Sequence, residues 1–78
     1  MPPITVKMYP GRSDEVKQKA AQEIMQAAMQ ALDAPATAFT VIMEDIPREE
    51  WNEKVFVPEI EPNEDLVLIR QGKSTKEE

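Results

Sequence analysis

The sequence predicts an α/β (α+β) fold, a single β-α-β unit, from three observations. Apolar and polar residues alternate over residues 3–9, apolar residues recur at helical spacing over about 14–32, and alternation returns over 38–44. A chain of 78 residues is read as one small domain, because dividing so short a chain between two cores forfeits buried surface. Within that single domain, residues 2–44 are the expected β-α-β core. Residues 45–70 are expected to be a C-terminal helical and dimerisation segment, and 71–78 a flexible tail.

Each element has its own signal. Ile4, Val6 and Met8 share one side of the first strand, with Thr5, Lys7 and Tyr9 on the other. Pro10-Gly11 breaks it. Ser13 offers a hydroxyl to the free amides of a helix start, and Asp14-Glu15 place negative charge at the positive end of its dipole. Along residues 14–32, Gln18, Gln22, Gln26 and Gln30 make a polar stripe. Val16, Ala20, Ile24, Ala27 and Ala31, with Met25, Met29 and Leu32, make a broad apolar face, the methionines reading as core filling. Asp33-Ala34-Pro35 ends the helix, since Pro cannot continue it. In the second strand Phe39, Val41 and Met43 oppose Thr40, Ile42 and Glu44. A helix between two strands lets them run parallel with a right-handed crossover.

Beyond Asp45 the pattern is weaker. Pro47 starts a helical turn that is expected to reach about Val57, with Trp51, Val55 and Phe56 as its apolar contacts. Glu61-Pro62-Asn63-Glu64-Asp65 has the acid bias of a helix start, whereas Leu66-Val67-Leu68-Ile69 is rich in β-formers; the reading adopted is a short helix. Residues 72–78 are polar and are expected to fray.

Composition removes several functions. With no Cys and no His, disulfides, thiol nucleophiles, Ser-His relays and the usual zinc ligands are all excluded. Nine Lys+Arg against 15 Asp+Glu leave a net charge of -6, which repels phosphate backbones and anionic lipid; neither nucleic acid nor membrane is an expected partner. No apolar run approaches the ~18 residues of a membrane span, and no secretory signal opens the chain, so a cytoplasmic location is expected. Glu44, Asp45, Glu49 and Glu50 form an acidic cluster without the alternating ligand spacing of a calcium loop, and read as a solvated face; no metal site is expected. A two-stranded sheet with one covered face is marginal by itself. Joining two units into a four-stranded sheet is the economical remedy, so a homodimer is expected.

Met1-Pro2 before a strand, Gly11-Arg12-Ser13-Asp14-Glu15 after it, Leu32-Asp33-Ala34-Pro35 at the helix end and the strand over 39–44 together resemble the 4-oxalocrotonate tautomerase family. The longer C-terminal segment bearing Trp51, in place of a short Gly-rich hairpin, is similar to its dimeric branch. The resemblance implies a cofactor-independent isomerase in which Pro2, freed by loss of Met1, presents a secondary amine. A desolvated pocket and a nearby cation lower the pKa of such an amine toward neutrality, where it serves as a general base for keto-enol tautomerisation. The resemblance further implies that Arg12 grips a substrate carboxylate and that Trp51 dries the pocket. A second arginine of the best-known member is replaced here by Thr40, which can hydrogen-bond but carries no charge. A small 2-oxo acid or enol with one carboxylate is therefore the expected substrate, rather than a dicarboxylate. Lys7 and Arg48 are the other cations considered for that role, and both read as surface charges. Two alternatives stay open at this point: a non-catalytic binding or assembly protein that retains Met1, and a haloacrylate-type hydratase or dehalogenase using the same amine and Arg12.

Overall fold

Strands β1 (Pro3–Met8) and β2 (Thr40–Asp45) lie side by side as a parallel pair in the computed structural model of the chain, which describes residues 1–76. The register runs from Pro3 opposite Thr40 to Met8 opposite Asp45. Ile46 prolongs the ladder by donating its N–H to Met8 O at 2.8 Å. The expected alternation is visible in exposure: Ile4, Val6, Val41 and Met43 are half-buried, and Thr5, Thr40, Ile42 and Glu44 are exposed.

Between the strands runs α1 (Asp14–Leu32), with the bounds that the cap and stop signals predict. Ser13 Oγ accepts the Val16 N–H at 3.2 Å, satisfying one of the amides that a helix start leaves without a partner. At the other end Asp33 takes a left-handed conformation, φ 54°, and both its N–H and that of Ala34 turn back to Met29 O. Half-buried positions on α1 fall at Lys17, Ala20, Ala21, Ile24, Met25, Ala28 and Met29. Two residues of the expected apolar face are uncovered: Val16 is 51% exposed and Leu32 60%. A turn of 3₁₀ helix, Ala36–Ala38, precedes β2. It delays the strand to Thr40, two residues later than expected, because the Ala38 N–H closes on Pro35 O at 3.0 Å instead of pairing in the sheet.

The chain divides into two compact units, Met1–Pro47 and Arg48–Glu78. The second unit is helical for longer than the sequence suggests. After a 3₁₀ turn, Arg48–Glu50, the chain forms a π-helix, Asn52–Ile60, that contains Pro58, and then a further 3₁₀ segment, Glu61–Leu66. Proline in an α-helix lacks an N–H and crowds the carbonyl four residues back. A wider turn relieves that crowding, and the Glu61 N–H reaches Phe56 O, five residues back. Asn63 Nδ2 donates to Glu59 O at 2.7 Å.

Two expectations for this unit need correction. The short helix over 61–66 does not continue through residues 67–69, and residues 73–74 are not frayed. Instead β3 (Ile69–Arg70) pairs antiparallel with β4 (Lys73–Ser74). The turn between them has positive φ at both Gln71 (51°) and Gly72 (84°), the geometry of the tight turn that matches strand twist in hairpins. Thr75 extends the hairpin by donating its N–H to Leu68 O at 2.8 Å. Residues 77–78 of the expected tail lie outside the described residues.

Among the described residues only Ile46 in the first unit, 4% exposed, and Val55 in the second, 5% exposed, are fully buried apolar side chains. No helix of the described residues is long and apolar enough to cross a membrane.

Candidate active site

Pro2 stands immediately before β1 and is half-buried, whereas Met1 is 95% exposed. Because Pro3 pairs with Thr40, Pro2 and Thr40 both lie at the N-terminal end of the sheet, with Pro2 on the face of Ile4 and Val41 and Thr40 on the opposite, exposed face. The neighbourhood is lightly polar: Thr40 supplies a hydroxyl, and Phe39 beside it is half-buried.

Arg12 is placed elsewhere. It lies in the connection from β1 to α1, after Gly11, whose φ of 132° is one that residues with a side chain rarely adopt. The chain reverses there, and α1 begins over the C-terminal end of the sheet, where Lys17 Nζ meets Asp45 Oδ2 at 2.7 Å. This pair is partly shielded, with 20% and 33% of the side-chain surfaces exposed, and it pins the first turn of the helix to the last residue of β2. Six residues of β1 span roughly 20 Å, so Pro2 and Arg12 occupy opposite ends of the sheet within one chain.

Trp51 belongs to the second unit. There it lines an open groove of about 620 Å³ with Phe56, Ile60, Leu66, Leu68 and Arg70. Arg70 was not singled out by the sequence; its signal is the Gln71-Gly72 turn that follows a β-rich run. Its Nη2 bonds Glu64 Oε2 at 2.9 Å. Of the four residues expected at the site, the structure sets Pro2 and Thr40 at the same end of the parallel pair, Arg12 at the far end of the same sheet, and Trp51 in a groove of its own unit. Asp45 and Glu50 of the acidic cluster are engaged by Lys17 and Lys54, at 2.7 and 2.6 Å.

The parallel β-α-β fold is shared with known proteins. The family described as "Tautomerase enzyme" matches residues 2–63. The chain belongs to the tautomerase family. Among curated relatives it is 36% identical over 72 residues to a "Probable tautomerase" of Xylella fastidiosa, covering 92% of this chain and 88% of that protein. It is 30% identical over 73 residues to "Tautomerase PptA" of Cronobacter sakazakii, covering 92% and 96%. Among solved structures, TomN, described as a 4-oxalocrotonate tautomerase homologue in the tomaymycin biosynthetic pathway, superposes with a TM-score of 0.61 at 26% identity, over 94% of this chain and 86% of that one. Fold and family agree with the expectation from the sequence, and this tautomerase is an isomerase.

Proposed function

We propose that this tautomerase interconverts the keto and enol forms of a small 2-oxo acid, with the amine of Pro2 carrying the proton. The observation that supports the reading best is the setting of Pro2, half-buried immediately before the first strand of the parallel pair while Met1 projects into solvent. Removing Met1 then sacrifices no packing and leaves a secondary amine in a partly desolvated place. Desolvation disfavours the charged ammonium and holds more of the amine as free base near neutral pH.

In the reaction that amine takes the proton from the carbon next to the carbonyl. The C–H electron pair becomes the new C=C bond, the carbonyl pair moves onto oxygen, and the proton returns there to give the enol; the reverse direction runs the same steps. No group is oxidised or reduced, and no cofactor is needed. Arg12 holds the carboxylate by paired charge-assisted hydrogen bonds, and Thr40 offers a hydroxyl to the substrate oxygen. Since Arg12 and Pro2 sit at opposite ends of one sheet, the Arg12 that serves a given Pro2 comes from a second copy in a cytoplasmic homodimer. A two-fold axis that sets the sheets antiparallel brings those ends together.

The test is turnover of phenylenolpyruvate by chains whose N-terminus has been read by mass spectrometry. Pro2→Ala is expected to lower kcat/KM by at least about a hundredfold, and a chain that keeps Met1, with the Pro2 nitrogen in an amide, is expected to be equally poor. Full activity in either overturns the assignment of Pro2.

A further inference from the structure

Pro2 and Phe39 stand one rung before Pro3 and Thr40, the first pair of the parallel ladder. Extended backbone carries the alternation back to that rung. Phe39 has φ -106° and ψ 142°, and the proline that follows Pro2 holds it out of the helical region. Residues two apart share a face, so Phe39 lies with Val41 and Met43, and Pro2 with Ile4, which pairs with Val41. Phe39 is half-buried there, at the end of an apolar floor that continues through Val41, Met43 and Met25. With ~4.8 Å between neighbouring strands, a phenyl ring spans the rung to the pyrrolidine. Charge at this end of the unit is sparse. Between residues 24 and 43 the single ionisable side chain is Asp33, exposed at the C-cap of α1. The last turns of α1 otherwise offer Met25 and Met29, half-buried, and the neutral Gln26 and Gln30. Lys7 of β1 lies toward the far end, opposite Glu44, and Lys17 is engaged there by Asp45. Asp33 and the negative end of the helix dipole both favour a protonated amine.

We propose that Phe39 is a positioning residue of this tautomerase, its ring covering the Pro2 amine so that water cannot hold the proton there. The inference rests on the reading of Pro2 as the base and adds what keeps that base free. Near Pro2 its own chain supplies no cation to oppose protonation, and Asp33 with the helix end works the other way. Exclusion of water is then the influence within the unit that disfavours the ammonium, and the one aromatic side chain on the Pro2 face is the group that excludes most. Arg12 of a second copy adds to the same direction when it arrives, but the cover is present before it. A ring face can also attract an ammonium, and the two effects have opposite signs. The direction in which the amine titrates when the ring is removed therefore decides between them.

The test is the pH profile of kcat/KM for phenylenolpyruvate, with a nitrogen NMR titration of proline-labelled chain that begins at Pro2. Only the Pro2 nitrogen titrates, because every other proline nitrogen is in an amide. Phe39→Ala is expected to move the acid limb of the profile and the NMR midpoint upward together by about one pH unit, part of what full burial does to such a group. Turnover then falls about tenfold on the acid side and converges with the unaltered protein at alkaline pH, where both amines are free. Phe39→Leu keeps an apolar cover and is expected to shift by less than half as much. Phe39→Thr keeps a strand-forming residue without the cover, is expected to match Phe39→Ala, and carries the test if that variant does not fold. A loss of activity equal at all pH values, an unmoved midpoint in Phe39→Thr, or a downward shift overturns the proposal. The two readings fail separately. An unaltered chain whose Pro2 titrates as an ordinary proline amine removes the desolvated base itself, whereas a lowered midpoint that no Phe39 variant moves removes only Phe39.

Discussion

On the proposed reading, Thr40 is the residue on which the chemistry of the site turns most finely. It occupies the exposed face at the first rung of the parallel ladder, directly opposite Pro3, and its hydroxyl is a neutral donor. A hydroxyl that only orients an oxygen contributes the modest worth of a neutral hydrogen bond, about 0.5–1.5 kcal/mol. Thr40→Ala is therefore expected to lower kcat/KM by no more than about tenfold. Thr40→Arg adds a cation at the amine's end of the sheet and is expected to improve a dicarboxylic enol relative to phenylenolpyruvate, measured as the ratio of their kcat/KM values. An unchanged ratio would remove Thr40 from the site. Pro2, Arg12 and Trp51 were singled out from the sequence through their companions: an N-terminal proline, the Gly11-Arg12-Ser13 stretch and a lone tryptophan. Arg70 was not, because a single arginine in a polar tail carries no periodic signal until the hairpin places it on a groove.

Among the elements, α1 was the most legible because both its ends carry chemistry that acts locally. Ser13 caps with its own hydroxyl and Pro35 forbids continuation, so neither depends on distant packing. Ser13→Ala removes the bond to the Val16 N–H and is expected to cost about 1 kcal/mol of unfolding free energy, read from urea denaturation. Ser13→Asp is expected to retain it; equal loss in both variants would show that the cap contributes nothing. The start of β2 was misplaced since alternation over Ala38 and Phe39 is the same in a 3₁₀ turn as in a strand. The second unit was least legible. Pro58 reads as a helix stop under α-helical geometry, whereas a π-helix accommodates it, and Leu66-Val67-Leu68-Ile69 is too short for its period to distinguish helix from strand. The turn signal lay in Gln71-Gly72, and only the pairing of Arg70 with Lys73 reveals it as a hairpin.

At the scale of the whole molecule the governing fact is how little is buried. Among the described residues only Ile46 and Val55 are fully buried apolar side chains, while Val16, Leu32 and Ile42 are 51%, 60% and 49% exposed. The groove along β2 has an apolar floor of Phe39, Val41, Met43 and Met25 and opens to solvent. A partner strand on that edge would close it and lengthen the sheet, which supports a homo-oligomer over an isolated chain. In the proposed homodimer Arg12 of one copy meets Pro2 of the other, which makes activity itself a probe of association. Pro2→Ala and Arg12→Ala homodimers each carry a defect in both of their sites. If a site draws its proline from one copy and its arginine from the other, a heterodimer of the two variants has one doubly defective site and one intact site. Mixing equal amounts under conditions that allow exchange makes half of the dimers hetero, so activity is expected to recover to about a quarter of the unaltered protein. Sedimentation should show a species near twice 8.9 kDa, and the thermal midpoint should rise with protein concentration. If each site were complete within one chain, the mixture would show only the sum of two weak activities. That result, with a monomeric sedimentation mass, would require Arg12 to be removed from the substrate site.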